Sequence, residues 1–401
     1  MDLYVLIVSD HNLAELRACL YYKPRHIWLV ASQRMQQPAE RLSKVLQAQC
    51  PSAQLEILQA LPNVPFGGNT LEETSTWLNR VFTPKIMQFN EKVKHYCVLN
   101  MTGGTKTLSY LLTRVYDWQE IHYQPFFGNK VPLERFCLSA QDLEILPNID
   151  LACVTISPKD NALLYMDFVR SHTPNSIRKH PNSLELALSR LEYSQEWKKI
   201  TDLLEQGWQQ NETSKFVSVT CSQEINAEFI MLLNRVIESK SAPIGLNQQT
   251  LTFPSIHHKA YKEWRKWVSG DWYEQLTEHW LTTEYHIKPE HILTNVQLSN
   301  KTDPQGQESD TLLQYNNKLY VIEIKADIPK YKTLGEMESQ LTSLSGQLGK
   351  VEKVLIVSPM LKAKYSNEQW LSFKLRCKGK NVKLLTVGTK EDLKELFTTF
   401  S

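Results

Sequence analysis

The sequence predicts an α/β protein: an N-terminal parallel, doubly wound sheet, a mostly helical connector and a C-terminal α/β domain. Three observations carry this. The first third alternates short continuous apolar runs with helix-spaced segments. Residues 151–255 show helical spacing and few strand signals. The last third runs helix, three strands, helix, strand, strand, helix. The 401 residues are enough for two to three domains. With 42% hydrophobic and 22% charged residues the composition is that of a globular chain.

In the first third, Leu3–Val8 is an apolar run of strand length. A helical pattern follows over Asn12–Tyr22, then a strand over His26–Val30, a helix over Pro38–Ala48 and a strand over Gln54–Gln59. Pro65–Asn69 is loop chemistry. Thr70 followed by Glu73 is a capping box opening a helix over Leu71–Phe82. Tyr96–Asn100 is a further buried strand and Thr105–Trp118 a further helix. Apolar strands separated by helices imply a parallel sheet covered on both faces.

The connector's helical segments are Asn161–Ser171, Leu184–Leu191, Trp197–Trp208 and Ala227–Glu238. The last part begins near His257 with an aromatic-rich helix over Tyr261–Trp267, which breaks at Ser269-Gly270 and resumes over Asp271–Thr282. Strands are expected at His291–Leu298, Thr311–Tyr315 and Leu319–Ala326, with Asn316-Asn317 as a hairpin turn. Helix Leu334–Leu348, strands Val354–Val357 and Val382–Val387, and a terminal helix Glu391–Phe397 complete the chain. The domain boundaries so read are 1–150, 151–255 and 256–401.

Charge and cysteine content exclude several classes. Forty-five Lys+Arg against 43 Asp+Glu leave a net charge of +2, too little to grip nucleic acid by bulk field. A nucleic-acid enzyme would have to concentrate its positive charge locally. The seven cysteines are scattered without a CxxC pair, which fits a reduced cytoplasmic protein better than a zinc ribbon or a disulfide framework. No apolar run approaches the ~20 residues of a membrane span, and the N-terminus reads as a strand rather than a signal peptide.

Two stretches carry chemistry. In the C-terminal part, Asp310 opens one strand, and Glu323 and Lys325 lie at i and i+2 on the next, so they share a face. If the two strands pair as a hairpin, Asp310 meets Glu323 across the ladder. Two carboxylates suit Mg²⁺ or Mn²⁺, which activates water and offsets phosphate charge; a lysine orients that water or holds the scissile phosphate. This is the residue set of phosphodiester hydrolysis. Alone, an ExK pair is more often a solvated strand face. The upstream Asp310, the acidic helix residue Glu274 and the element order shift that balance.

The second stretch is Asn100-Met-Thr102-Gly103-Gly104-Thr105-Lys106, where a buried strand gives way to a helix. Helix N-terminal N–H groups, two threonine hydroxyls and Lys106 make an anion site. Ser9-Asp10-His11-Asn12 follows the first strand at the same sheet edge, where open α/β sheets bind ligands. Neither the P-loop nor the dinucleotide spacing is present. A plain glycine turn is the competing reading.

Glu308-Ser-Asp310 with Ile322-Glu323-Ile-Lys325 resembles the PD-(D/E)xK nuclease motif, and Gly270-Asp-Trp-Tyr-Glu274 resembles the helix that supplies a further acidic group in that superfamily. No proline precedes Asp310, a departure from the motif's name. Asn100–Lys106 resembles the signature of CARF domains, the cyclic-oligoadenylate sensors of type III CRISPR systems. Together they resemble the CARF-fused PD-(D/E)xK ancillary nucleases, over about residues 1–150 and 255–401. The resemblance implies Asp310 and Glu323 as metal ligands, Lys325 as catalytic lysine, and Glu274 and Glu308 as accessory metal ligands. It also implies a homodimer whose paired sensor domains bind cyclic tetra-adenylate through Ser9–Asn12 and Thr102–Lys106. A Mn²⁺- or Mg²⁺-dependent nuclease then cuts DNA, by nicking or on single strands, and in one reading RNA, with little sequence preference. A regulatory protein with an inactive nuclease core, and a sensor domain that cleaves its own ligand, are the alternatives.

Three weaker features stay open at this level. Asp303 is a second candidate for the aspartate, and Gln340 for a polar helix residue near the site. Trp264, Trp267, Trp272, Tyr273 and Trp280 are either core or a base-stacking platform. Lys374, Arg376, Lys378, Lys380 and Lys383 form a basic run that is either a solvated loop or a phosphate contact.

Overall fold

A computed structural model describes residues 1–68, 70–125, 131–138, 142–171, 182–210, 216–220, 226–238, 245–247, 250–254, 261–327 and 333–397. The N-terminal sheet has seven strands: β1 (Leu3–Ile7), β2 (His26–Val30), β3 (Gln54–Leu58), β4 (Cys97–Asn100), β5 (Glu120–Tyr123), β6 (Pro132–Leu138) and β7 (Leu143–Asp150). Their order is β3-β2-β1-β4-β5-β6-β7. The first five are parallel, and β6 and β7 are added antiparallel at the edge. β1 alternates between two cores. Tyr4 and Leu6 pack with the helices Leu13–Tyr22 and Gln36–Gln49, and Leu3, Val5 and Ile7 pack with Trp77, Phe82 and Leu112 on the other face. Burial on both faces is why these strands read as continuous apolar runs.

The edge hairpin β6–β7 is not legible as strand pattern. β7 is exposed along most of its length, with Leu143 and Ile145 facing solvent, so it lacks an alternating stripe. The Thr70 cap forms as expected, with Thr70 Oγ1 accepting from Glu73 N–H at 3.3 Å. The Glu73 carboxylate does not close the box. It accepts from Gly67 N–H at 2.6 Å and so shapes the preceding loop. The helix starting at Lys106 is shorter than its sequence pattern and ends at Arg114.

The second main sheet is six-stranded: β8 (Phe168–Ser171), β12 (Ile292–Asn300), β13 (Asp303–Tyr315), β14 (Lys318–Lys325), β15 (Glu352–Val357) and β16 (Val382–Thr386). Its order is β16-β15-β14-β13-β12-β8. β12, β13 and β14 form an antiparallel meander; β14, β15 and β16 are parallel. Parallel strands need a crossover, and between β15 and β16 it is the helix Asn367–Gly379. Most of the basic run that the sequence leaves open between a solvated loop and a phosphate contact lies on this helix. Exposed Leu371 and Leu375 blur the apolar stripe that would have marked the helix, although Ser366 and Gln369 form a capping box at its start.

Residues 151–255 are less helical than the sequence suggests. Asn161–Ser171 is not one helix: Pro158–Leu163 is helical, and Phe168–Ser171 turns into β8, which pairs antiparallel with β12. Further on, β9 (Phe216–Thr220), β10 (Gly245–Asn247) and β11 (Thr250–Pro254) form a small antiparallel sheet beside the helices Asn182–Glu192, Ser194–Gln210 and Ala227–Glu238. These strands are three to five residues long, too short for an alternation to register. The helix Asn182–Glu192 places Ala187 in the same core as Trp272, Tyr273, Ile322 and Ile356. The segment is thus tied into the C-terminal sheet rather than standing apart from it.

Trp272, Tyr273 and Trp280 are core residues, and Trp267 packs partly buried against them. They are not a base-stacking platform. The side chain of Trp264 lies outside the described residues.

Candidate active site and ligand site

The hairpin β13–β14 builds the catalytic candidate. Its turn, Asn316-Asn317, has both residues at positive φ (46° and 62°), the conformation that tight two-residue hairpins demand and asparagine tolerates. The turn fixes the register at Tyr315↔Lys318, and pairing runs to Thr311↔Ile322. There β13 leaves β14, while β14 stays paired with β15 as far as Lys325↔Val357. At this fork the Ile324 N–H loses its strand partner. Asp310 Oδ2 accepts it at 2.7 Å and also accepts from Lys325 Nζ at 2.8 Å. Lys325 Nζ lies 2.9 Å from Glu323 Oε2 as well. Asp310, Glu323 and Lys325 therefore converge on one point.

Glu323 is 2% exposed, and its second oxygen, Oε1, is buried without a partner. Burial pushes Glu323 up to about 8, and the Asp310 charge adds to this while Lys325 opposes it. Burial lowers the Lys325 ammonium, but Asp310 and Glu323 more than offset that, so the net shift is upward and the lysine stays charged. Glu274, on the helix Trp272–Thr283, is also pushed up to about 8, by burial and then by Asp310 and Asp271. Such crowding of carboxylates favours protons or cations.

Among the described residues no three His, Cys, Asp or Glu side chains are placed to hold a metal ion together. Lys325 Nζ bridges the two nearest carboxylates. The donors nevertheless fit Mg²⁺ or Mn²⁺: hard oxygen ligands, with one buried carboxylate oxygen unpartnered. Magnesium usually takes one or two protein carboxylates and completes its shell with water and phosphate.

β13 begins at Asp303, so Glu308 lies within it, two residues from Asp310. Glu308 is exposed, and its charge reaches Lys266, which pairs with Asp271 at 3.2 Å. The sequence reading passed over Asp271 and Lys266. Burial raises Asp271, Lys266 opposes, and the Asp310 charge adds to the rise. Asp271 follows the non-helical Gly270, at the break in the helix. Asp303 stands at the far end of β13, seven residues from Asp310 or roughly 23 Å at strand rise, with its carboxylate on Gly306 N–H. It is not part of the site. Gln340 is exposed on its helix. In the basic run, Lys380 pairs with the buried Glu338.

The second site lies at the carboxyl edge of the first sheet. β1 and β4 are adjacent and parallel, with Leu6↔Asn100 in register, so the loops after them emerge side by side. Asn12 does not cap the helix that follows. Its Oδ1 accepts from Ser9 N–H at 2.9 Å and its Nδ2 donates to Ser9 O at 2.8 Å, closing the Ser9–Asn12 loop, in which Asp10 and His11 are exposed. Asn100 is fully buried. Its Oδ1 accepts from Thr102 N–H at 3.0 Å and its Nδ2 donates to Tyr4 Oη. Thr102 Oγ1 accepts from Gln124 N–H at 2.9 Å. Thr105 caps its helix through Leu108 N–H and donates to Gly68 O at 2.6 Å. Both hydroxyls are thus engaged in holding the loop. The Pro65–Gly68 segment joins the site through that last bond, a partner that no motif announces.

Gly103 and Gly104 are dictated by close approach. A Cβ on Gly103 would lie 2.1 Å from Ile7 O and 2.9 Å from Glu15 Oε1; Gly104 has φ of 80°, and a Cβ there would lie 2.2 Å from Ile7 Cγ2. Beneath the loop, Glu15 is fully buried, both its oxygens lack partners, and burial pushes it up to about 8. Lys106 and Thr105 are exposed at the mouth, and Lys106 has no ion pair among the described residues. Ser9–Asn12 and Thr102–Lys106 are therefore brought to one sheet edge.

Fold and sites together define the class: an α/β protein with a Rossmann-like N-terminal sheet whose loops form a candidate anion site, and a second, mixed sheet that carries a carboxylate–lysine cluster. No protein-family model matches the chain. No curated protein matches it either. Solved structures do. The protein VC1899 from Vibrio cholerae aligns with a TM-score of 0.69 at 18% identity, over 98% of this chain and 96% of that one. Can2 from Sulfobacillus thermosulfidooxidans, solved in complex with cyclic tetra-adenylate, aligns at 0.65 and 17% identity over the full length of both. A type III CRISPR defence DNA nuclease activated by cyclic oligoadenylate aligns at 0.51 and 15% identity, over 89% of this chain and 45% of that one. The chain shares its fold with the first two of these over nearly its whole length.

Proposed function

We infer that this chain is a nuclease of type III CRISPR defence, activated by a cyclic oligoadenylate and dependent on a divalent metal. One observation carries the reading above the rest. Asp310, Glu323 and Lys325 meet at the fork where β13 leaves β14, in a chain that also folds end to end like Can2.

Asp310 and Glu323 would hold Mn²⁺ or Mg²⁺, with Glu274 and Glu308 as accessory ligands. The ion supplies Lewis acidity for phosphodiester hydrolysis when bound. Lys325, held charged by its two carboxylates, binds the scissile phosphate or orients the attacking water. Asp310 in turn fixes Lys325 and the Ile324 backbone. At the other site, Ser9–Asn12, the Thr102–Thr105 backbone and Lys106 bind cyclic tetra-adenylate. A two-fold pairing of these loops in a homodimer suits a symmetric ring. Ligand then shifts the dimer toward a cutting-competent arrangement, which requires tighter binding to that arrangement. The substrate is DNA, nicked or cut as single strands, with RNA as a further substrate, and the setting is the cytoplasm. Among the described residues no helix is long and apolar enough to cross a membrane.

The test is cleavage of supercoiled DNA, single-stranded DNA and RNA by the purified protein. Each is incubated with and without cyclic oligoadenylates, in Mn²⁺, Mg²⁺ and chelator. Cutting is expected only with metal and to rise with cyclic tetra-adenylate. Cutting indifferent to every cyclic ligand removes the sensor reading, and no cutting under any condition removes the nuclease.

A further inference from the structure

The helix Leu13–Tyr22 joins the two sites. It leaves the Ser9–Asn12 loop, whose Asn12 side chain closes that loop. One turn on, Glu15 lies under Gly103. Two residues later, Arg17 is 5% exposed and its Nη2 donates to the Asn317 carbonyl at 3.0 Å. Asn317 is in the turn of the hairpin that carries Asp310, Glu323 and Lys325. Both ligand-site loops and the catalytic hairpin thus meet the start of one helix, within about a turn and a half. A largely buried guanidinium donating across domains to a backbone carbonyl is a costly contact to leave unmade.

A second tether runs parallel. The Tyr165 ring lies 6.0 Å from the His11 ring. It also packs on Gly349, where φ is 71° and a Cβ would fall 2.6 Å from the ring. Gly349 leads into β15, the parallel neighbour of β14.

We propose that Arg17 is a positioning residue that holds the β13–β14 hairpin from the sensor helix and makes the hairpin's placement respond to the ligand loops. This rests on the function inferred above and adds its route of regulation. Arg17 touches neither ligand nor substrate. It acts through Asn317, in the two-residue turn that joins the strands carrying Asp310, Glu323 and Lys325.

The experiment uses the full chain with Arg17→Ala and Arg17→Lys. Three readouts are taken: amide hydrogen exchange across Tyr315–Lys325, calorimetric affinity for cyclic tetra-adenylate, and the stimulation of cleavage by that ligand. For Arg17→Ala, exchange at the hairpin turn is expected to rise ten-fold or more. Stimulation is expected to fall at least five-fold while affinity stays within two-fold. Arg17→Lys, with the same charge on a single donor nitrogen, recovers part of both. Exchange within two-fold of wild type overturns the proposal. So does faster exchange with undiminished stimulation, because the contact is then structural only. Should Arg17→Ala fail to fold, Arg17→Gln is read by the same measurements. If wild type is not stimulated at all, the sensor reading fails. The tether is then decided separately by whether hairpin exchange rises in the variant.

Discussion

Lys325 Nζ stands 2.8 Å from Asp310 Oδ2 and 2.9 Å from Glu323 Oε2, and this bridged triad sits where two strands part. The splayed ladder leaves the Ile324 N–H to a side chain instead of a strand, so the geometry that ends pairing also aims the aspartate.

Asp310→Asn and Lys325→Ala should each lower cleavage by about 10²–10⁴-fold, the range for removing a positioned catalytic group. Binding of cyclic tetra-adenylate should be unchanged, because that site is on the other sheet. The double variant should be little worse than either single one, since groups acting as a unit are not additive. Single-turnover cleavage and calorimetry check both points. Undiminished cutting by the single variants would sink the assignment.

Chelation should abolish cleavage and leave ligand binding intact. Restoring Mn²⁺ or Mg²⁺ should recover activity, and the recovery should need more metal in Glu323→Gln, which loses a buried carboxylate ligand. A metal titration of cleavage rate is the measurement.

Gly103→Ala would place a methyl 2.1 Å from Ile7 O, so the loop must move. Affinity for cyclic tetra-adenylate should fall by roughly ten-fold or more, as the anion-binding N–H groups lose their aim. Lys106→Ala removes an exposed charge and should cost about 1.5–3 kcal/mol of binding without changing folding. Calorimetry against thermal melting separates the two effects.

Glu15 gives a pH signature. Its folded value of about 8 lies above the ordinary 4.5, so the fold favours the protonated carboxyl. The stability this proton brings is full below about pH 4.5 and drains away as pH rises toward 8. Glu15→Gln, neutral at every pH, should gain on wild type across that window. The gap should reach a few kcal/mol at pH 8–9 and be small at pH 5. Melting temperatures at several pH values test this. A constant gap would mean that Glu15 is ionised in the folded protein.

Much of both sites is legible from local pattern. Apolar runs at Leu3–Ile7 and Cys97–Asn100 mark strands because both faces of that sheet are covered. The Gly-Gly turn before Lys106 and the Asn-Asn turn before Lys318 announce backbone conformations that few other residues adopt. Alternation alone places Glu323 and Lys325 together. Asp271 and Lys266 are not legible because their pair forms across the kink at Gly270, where the Asp310 charge also acts on Asp271. The three short strands around β10 and the exposed β7 are not legible because partners, not their own periodicity, hold them.

The residue types of the two sites and the order of most elements along the chain follow from the sequence itself, since burial on one or both faces leaves its period in the chain. Three things were decided only in three dimensions. The fork at Thr311↔Ile322 brings Asp310 onto Lys325, because a ladder's end is set by how the sheet twists and splays. Glu15 is trapped under Gly103 because a loop ninety residues away closes over it. Arg17 reaches Asn317 across 300 residues, a contact that no local pattern encodes, because only the packing of one domain on the other brings helix and hairpin together.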